Sequence, residues 1–373
     1  MSFWERQPTA AAATAATAAS QILAAGELLS RIAAELDRSK IKLDYRTVIG
    51  VPEEPAVLEF LNANYLESTQ SRLQYSDSLV SFFLHDAVTV IFHAKGAPER
   101  IIGIICGART TLFGLAGGVP SLNVNFLCLT PKLRSMHLAP YMIGVLTKES
   151  VERFGICVAH YTIGGVIKAP NFGRKQIYHR PLHIRSLVAG GFFDVDVKQY
   201  ERVYNTFVRV RPVQHIHRVA DEAVAPLATE MRAVYAGYSA KAYDVYEIPP
   251  FERILTSPAF HTFLFRDDAG KLTDFLSLYR LDSRGARGSY RNGYLYALAL
   301  SDTRNLYLGT VIETVASHSM KFNIFDMLTL ADMLPVKDYG SLKFMKGTGS
   351  LGYYMFNMAM PAVENKRNGL VAV

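Results

Sequence analysis

The chain has 373 residues, half of them hydrophobic and a fifth charged, which gives room for one large or two medium domains and excludes a disordered or fibrous protein. No apolar run approaches the roughly 20 residues that cross a bilayer as a helix. Cys106, Cys128 and Cys157 stand singly in apolar surroundings, so neither a disulfide framework nor a metal centre is indicated and a reducing, cytoplasmic compartment is expected. The net charge of +7 comes from scattered basic residues with no nucleic-acid motif; nucleic acid is not expected as a partner, whereas a phosphate-rich ligand suits such a surface.

Residues 1–8 carry the only tryptophan, Trp4, and residues 9–20 are nearly all Ala and Thr, a composition that also suits an organelle transit peptide. Over 21–37, Leu29, Ile32 and Leu36 share one stripe, which predicts a surface helix. A helical pattern covers 54–85. Segments 88–92, 101–106 and 122–129 read as strands, with turns at Gly107 and over 114–120.

The strand over 122–129 leads into a basic turn containing Lys132, Arg134, Ser135 and His137, then a helix from 138 to about 153 with Pro140 in its first turn. Unpaired N–H groups and the helix dipole make such a start suited to a phosphate or pyrophosphate; an ordinary solvated strand–helix junction is the other reading. Segment 156–161 is a further strand. A helix over 218–238 and a break at Pro249-Pro250 follow. From 260 the pattern of the first half returns: strands 260–266, 272–279 and 295–300, a helix over 306–319, and a strand 322–327. No strand–loop–helix unit surrounds Gly347 and Gly349, so they do not read as a nucleotide loop.

The run Asn125-Phe126-Leu127-Cys128, followed after four residues by Leu133-Arg134-Ser135 and then by Leu138-Ala139-Pro140, closely resembles the signature of the N-myristoyltransferases, the glycylpeptide N-tetradecanoyltransferases. Further segments are similar to that family: Phe3-Trp4 with Gln7-Pro8, Asn62 with Asn64-Tyr65, Tyr161-Thr162 with Gly164, Tyr178-His179-Arg180, Thr273-Asp274-Phe275-Leu276-Ser277 with Tyr279, and Leu342-Lys343-Phe344 with Tyr353-Tyr354. The resemblance implies an α/β fold with a mixed sheet, built as two pseudo-symmetric acetyltransferase-like (GNAT) halves in one saddle-like unit. Residues 1–195 would bind acyl-CoA, with 9–45 an Ala-rich segment and surface helix. Residues 196–373 would bind peptide and return the C-terminus to the active site.

The implied reaction moves a myristoyl group from myristoyl-CoA, a co-substrate, to the N-terminal glycine amine of client proteins, by a monomer without metal or other cofactor. By the same resemblance the carboxylate of Val373 is the base, and the backbone N–H groups of Phe126 and Leu127 form the oxyanion hole, which requires an irregularity in their strand. Ser2, Phe3 and Trp4 would lie against the coenzyme, Phe126, Leu127, Cys128 and Leu129 along the thioester, and Arg134, Ser135, His137, Leu138 and Ala139 at the phosphates. Tyr65, Thr162, Gly164, His179, Tyr279, Ser283, Tyr294 and Asp326 would meet the peptide, His179 as a binding group rather than a base. The chain departs from the family at Met136 and His137, where basic residues are usual, at Thr348 in place of Asp, and at Ser68-Thr69-Gln70 in place of an acidic run. A preference for a basic residue in the peptide is therefore not expected to carry over intact. Two rival readings stand beside this one: a related acyltransferase with another donor or acceptor, and a non-catalytic protein that binds acyl-CoA or lipidated peptides.

Overall fold

The computed structural model describes residues 8, 19–39, 41–52, 55–65, 72–114, 117–194, 202, 208, 223–285, 287–301 and 308–371. After a short strand β1, Ser20–Gln21, the amphipathic stripe forms helix α1, Ala25–Arg38, which buries Leu28 and Ile32. Strand β2, Asp44–Ile49, follows; its mixed polar pattern gave no sequence signal. The helical pattern expected over 54–85 resolves into α2, Pro55–Asn64, strand β3, Arg72–Gln74, and α3, Asp77–Leu84. Ser76 explains the second start, because its hydroxyl accepts the Leu79 N–H at 3.3 Å as an N-cap.

Strands β4, Ala87–Ala94, β5, Ala97–Gly114, and β6, Val119–Leu129, form an antiparallel run. β5 passes straight through Gly107, where a turn was expected. Glycine there permits close approach of β6: a Cβ would stand 2.7 Å from Leu122 Cδ1. Helix α4, Ala139–Phe154, has Pro140 in its first turn and ends at Gly155, whose φ of 66° makes it a left-handed cap. Strand β7, Val158–Ile163, strand β8, Gly173–Pro181, and the short helix α5, Ile184–Ala189, complete the first half.

The second half contains α6, Val224–Ala242, β9, Val245–Tyr246, α7, Phe251–Thr256, β10, Phe260–Arg266, β11, Leu272–Arg284, β12, Ser289–Ala299, α8, Leu308–Lys321, β13, Met327–Ala331, β14, Met345–Phe356, and β15, Met358–Ala359. The strand expected over 322–327 begins only at Met327. Asn323 takes a left-handed φ of 53°, and the Ile324 N–H returns to the Ser319 carbonyl at 2.8 Å, so these residues close α8 instead.

Among the described residues, one sheet runs in the order β10-β11-β12-β13-β8-β14-β7-β6-β5-β4-β2, with β3 on β11 and β9 on β5. Its neighbours are antiparallel except β6–β7 and β12–β13, each produced by a strand–helix–strand crossover. This is the expected mixed α/β sheet with a repeated unit. The repeats exchange edges: β8 joins β13, while β14 inserts between β8 and β7.

Candidate active site

The reactive geometry starts from a fault in β6. Ile104 faces Cys128 and Cys106 faces Asn125, so Phe126 and Leu127 together oppose the single residue Ile105. That is a β-bulge, and Phe126 sits in it at φ 52°, a left-handed conformation costing a non-glycine residue roughly 1–2 kcal/mol. The ring offsets the strain: Phe126 is 3% exposed and meets Tyr75 at 5.3 Å, Phe83 at 6.3 Å and Tyr65 at 6.4 Å, all edge-on. Burying such a ring stabilises by roughly 1.5–3 kcal/mol. The irregularity expected of the oxyanion strand is therefore present, at the expected residues.

Beyond the bulge the neighbouring strand falls away. β7 pairs with β6 only from Ser121 to Val124, and a cavity of about 390 Å³ opens past that point, walled by Val124 to Leu127, by Ile143 and Leu146 of α4, and by Tyr161 to Gly164. Tyr65, Phe126, Leu127, Thr162 and Gly164, predicted from distant parts of the sequence, line this one space. The side chains of Cys128 and Leu129 do not; they lie in the core, and burial pushes the Cys128 thiol up to about 11 despite Arg134 nearby.

The turn before α4 is the 3-10 segment Pro131–Met136, closed by His137 at φ 54°. Ser135 and His137 are exposed, Ala139 is half-buried and Leu138 is buried as the cap residue. Arg134 is engaged in the protein, its Nε donating to the Leu129 carbonyl at 3.1 Å and its guanidinium also to the carbonyl of Asn64. It thereby ties the turn to the end of α2 while remaining exposed beside Ser135 and His137.

A row of aromatic rings links this cavity to the second half: Phe126 to Phe83, Phe83 to Tyr279 at 5.7 Å, and Tyr279 stacked on Tyr294 at 5.3 Å. Tyr294 pairs with Thr329, and Thr329 with His179. The His179 Nδ1 lies 2.9 Å from the Thr329 hydroxyl, which donates to Asn292 Oδ1 at 2.8 Å. The hydroxyl has one proton, so Nδ1 donates to it and Nε2 is left as an acceptor. Burial lowers the His179 pKa to about 4, which keeps the ring neutral and supports binding over proton transfer. Ser283 and Asp326 depart from expectation. Both are buried, and Asp326 accepts Arg291 Nε and main-chain N–H on one oxygen and Nη2 on the other, at 2.8–2.9 Å. Burial would raise its pKa, but these bonds win and hold it below the ordinary carboxylate value; its carboxylate organises Arg291 rather than facing a peptide.

Ser2, Phe3, Trp4 and Val373 lie outside the described residues. The segment leading toward Val373 is nevertheless informative. Asn368 and Leu370 are 0% and 1% exposed, Gly369 N–H donates to the Val245 carbonyl at 2.8 Å, and a Cβ at Gly369 would stand 2.5 Å from the Tyr243 ring. Lys175 Nζ donates to the carbonyls of Asn368 at 2.6 Å and Leu370 at 2.9 Å. Val371 lines a second cavity, of about 320 Å³, together with Asn125, and Asn125 also lines the first. The chain thus runs through the interior toward the back of the bulged strand.

Sequence reasoning missed the polar network there: Asn125 to Asn123 at 3.2 Å, Asn123 to Glu247 at 3.4 Å, Glu247 with His160 at 3.3 Å, and His160 with Ser121 at 3.2 Å. The alternation of Ser121, Asn123 and Asn125 within an apolar strand was its one signal. Among the described residues no three His, Cys, Asp or Glu side chains come together as metal ligands, and no helix is long and apolar enough to cross a membrane.

Comparison with known sequences bears on this arrangement directly. The pattern described as "Myristoyl-CoA:protein N-myristoyltransferase, N-terminal domain" matches residues 47–171, and that of the C-terminal domain matches 250–371, together more than half of the chain. The chain belongs to the N-myristoyltransferase family. It is 27% identical over 343 residues to glycylpeptide N-tetradecanoyltransferase 2 of Bos taurus, a match covering 83% of this chain and 64% of that protein. Against the probable glycylpeptide N-tetradecanoyltransferase of Caenorhabditis elegans it is 26% identical, over 84% of this chain and 73% of the other. Its fold is that of Saccharomyces cerevisiae N-myristoyltransferase solved with bound myristoyl-CoA, with a TM-score of 0.78 at 19% identity over 100% of this chain and 94% of the other. Of the described candidate residues, Tyr65, Phe126, Leu127, Thr162, Gly164, Tyr279, Ser283, Tyr294 and Asp326 fall within the two matched stretches, and His179 lies between them.

Proposed function

We propose that this chain transfers the myristoyl group of myristoyl-CoA to the N-terminal glycine amine of client proteins, acting as a monomer in the reducing cytoplasm. The observation that carries the reading is the left-handed bulge at Phe126, set where β6 and β7 part. Carbonyl addition to a thioester develops negative charge on oxygen, and the N–H groups of Phe126 and Leu127, residues that the bulge takes out of the regular register beside the cavity, receive it. Such a preorganised donor lowers a barrier by on the order of 3 kcal/mol.

The incoming amine, with a pKa near 8, must first lose a proton. The carboxylate of Val373 takes it, led there by the buried Asn368–Leu370 segment. The amine nitrogen then forms a bond to the thioester carbon, the C–S bond breaks, and the thiolate leaves with the second amine proton. A carboxylate at its ordinary pKa of about 3.5 would accept uphill by roughly 6 kcal/mol, and burial reduces that gap. Ser2, Phe3 and Trp4 cover the coenzyme, whose phosphates meet Ser135, His137 and the start of α4. Tyr65, Thr162 and Gly164 hold the glycine end of the peptide; His179 Nε2 accepts from a hydroxyl or N–H further along, past Tyr279 and Tyr294. We retain the division at 195/196 into a coenzyme-binding and a peptide-binding half, with the strand exchange described above.

The test is transfer of labelled myristate to a peptide beginning Gly-x-x-x-Ser, for the native chain and for one extended by a single Gly after Val373. Loss of transfer on extension with myristoyl-CoA still bound supports the enzyme and its base. A native chain that binds myristoyl-CoA but transfers nothing sinks the reading in favour of a binding protein.

A further inference from the structure

We propose that Lys175 is the positioning residue of the C-terminal segment, holding the carbonyls of Asn368 and Leu370 so that the chain end is delivered to the transfer site. The proposal rests on the reading of the Val373 carboxylate as base.

Lys175 is on β8 and 0% exposed. Buried lysines are rare unless paired with an acid, yet among the described residues no carboxylate lies within ion-pairing distance of this one. Its contacts are instead the two carbonyls, at 2.6 and 2.9 Å, and the face of Tyr353 on the adjacent strand β14, at 4.8 Å from the ring centre. Asp332, after β13, acts on it only as a distant charge. An ammonium in such a place has its hydration replaced by the main chain of one segment. The two carbonyls it gathers are two residues apart, which fixes the direction as well as the position of the chain that continues to Val373. The remaining fastenings of the segment, Gly369 N–H to Val245 and Leu370 N–H to Asn368 Oδ1 at 3.0 Å, hold N–H groups; the carbonyl side depends on Lys175.

Burial also lowers the Lys175 pKa to about 7, with Asp332 opposing the shift. The clamp therefore loses its charge within the working range of pH. The amine still donates after deprotonation, through neutral bonds that are individually weaker but do not carry the cost of a buried charge.

The experiment compares native chain, Lys175→Met and Lys175→Arg by kcat, KM for myristoyl-CoA and the pH profile of kcat. Lys175→Met is expected to lose roughly 10- to 100-fold in kcat, the scale of a small misplacement of a reacting group, with KM for myristoyl-CoA unchanged. It should also lack an inflection near pH 7 that the native profile shows; Lys175→Arg, permanently charged, should recover part of the rate without that inflection. A Met variant that keeps the native kcat and profile overturns the proposal. Because a buried substitution can impair folding, the native chain is also treated with carboxypeptidase between pH 6 and 8.5, each rate divided by that of a free peptide with the same last residues. Undocking the segment returns Lys175 to water and toward its ordinary pKa, so protonation favours release: relative release should fall several-fold as pH rises through 7, and flat release overturns the clamp. If the Gly-extended chain transfers normally, the base reading fails by itself, while the carboxypeptidase result still judges the clamp.

Discussion

The two strand–helix–strand units of this sheet have the same connections and different centres. In each, an antiparallel pair slips register midway, β5–β6 beside Ile105 and β11–β12 where Tyr296 is skipped, and a helix returns to a parallel strand. In the first unit the slip throws two residues against one and Phe126 into positive φ; around Tyr296 no residue takes positive φ. The first unit leaves about 390 Å³ between its parallel strands. In the second the corresponding space is filled, with Leu295, Leu298, Leu328 and Leu330 packed on Val311, Ile312 and Val315 of α8. A repeated fold thus holds one open copy and one filled copy; the function proposed above puts the chemistry at the opening and peptide recognition on the filled copy.

The largest effect should come from attacking this contrast at its centre. Phe126→Ala removes the ring that fixes the bulge and is expected to lower kcat by about 100-fold or more, the scale seen when an oxyanion donor is lost. Its counterpart Leu295→Ala, in the filled unit, should cost about 2–5 kcal/mol in urea unfolding and leave kcat per folded molecule unchanged. Equal kcat losses in the two variants would show that the bulge has no privileged role.

Lys175 sharpens the comparison from the edge where the halves exchange strands. Its pKa is near 7 folded, from 10.5 as the ordinary value, so between these pH values the unfolded chain binds more protons and stability rises with pH. Integrated from pH 7 to 9 the gain is about 2 kcal/mol. Urea midpoints of the native chain should rise accordingly, relative to Lys175→Met; parallel pH trends in the two would mean that Lys175 does not titrate in that window.

How far the sequence exposed all this varies with the physics involved. Long periodic strands and the helix after the signature were legible because hydrophobic period reports directly on burial. Gly107 was misread because a glycine inside a strand and one in a turn look alike until the neighbour, Leu122, is known. The site residues carried by local motifs around Phe126 and Thr162 converge, whereas Ser283 and Asp326 do not face the open site. Their roles depend on partners, Leu73 opposite Ser283 and Arg291 against Asp326, that no local pattern announces. Lys175 and the Ser121–His160–Glu247 network were illegible for the same reason: each links segments more than a hundred residues apart or on different strands.

Asp326→Asn tests that distinction with a smaller effect. Removing one partner of the Arg291 pair should destabilise by about 1–3 kcal/mol, while KM for peptide stays within twofold. A large rise in peptide KM at unchanged stability would restore Asp326 to the binding surface.

The smallest expected change is at His179, and its sign comes from protonation. With a pKa near 4, the ring is neutral from pH 5.5 to 8, so peptide affinity should be flat over that range so far as this residue governs it. Substitution to Phe keeps a flat ring of similar burial but deletes the Nε2 acceptor and the bond to Thr329. One lost neutral hydrogen bond is worth about 0.5–1.5 kcal/mol, so KM for a peptide with Ser at the fifth position should rise roughly two- to tenfold, with kcat held. The same substitution should leave KM unchanged for a peptide with Ala at that position, since the acceptor then has nothing to meet. A drop in kcat for both peptides would instead make His179 part of the proton chemistry, against its burial, its partner and its pKa.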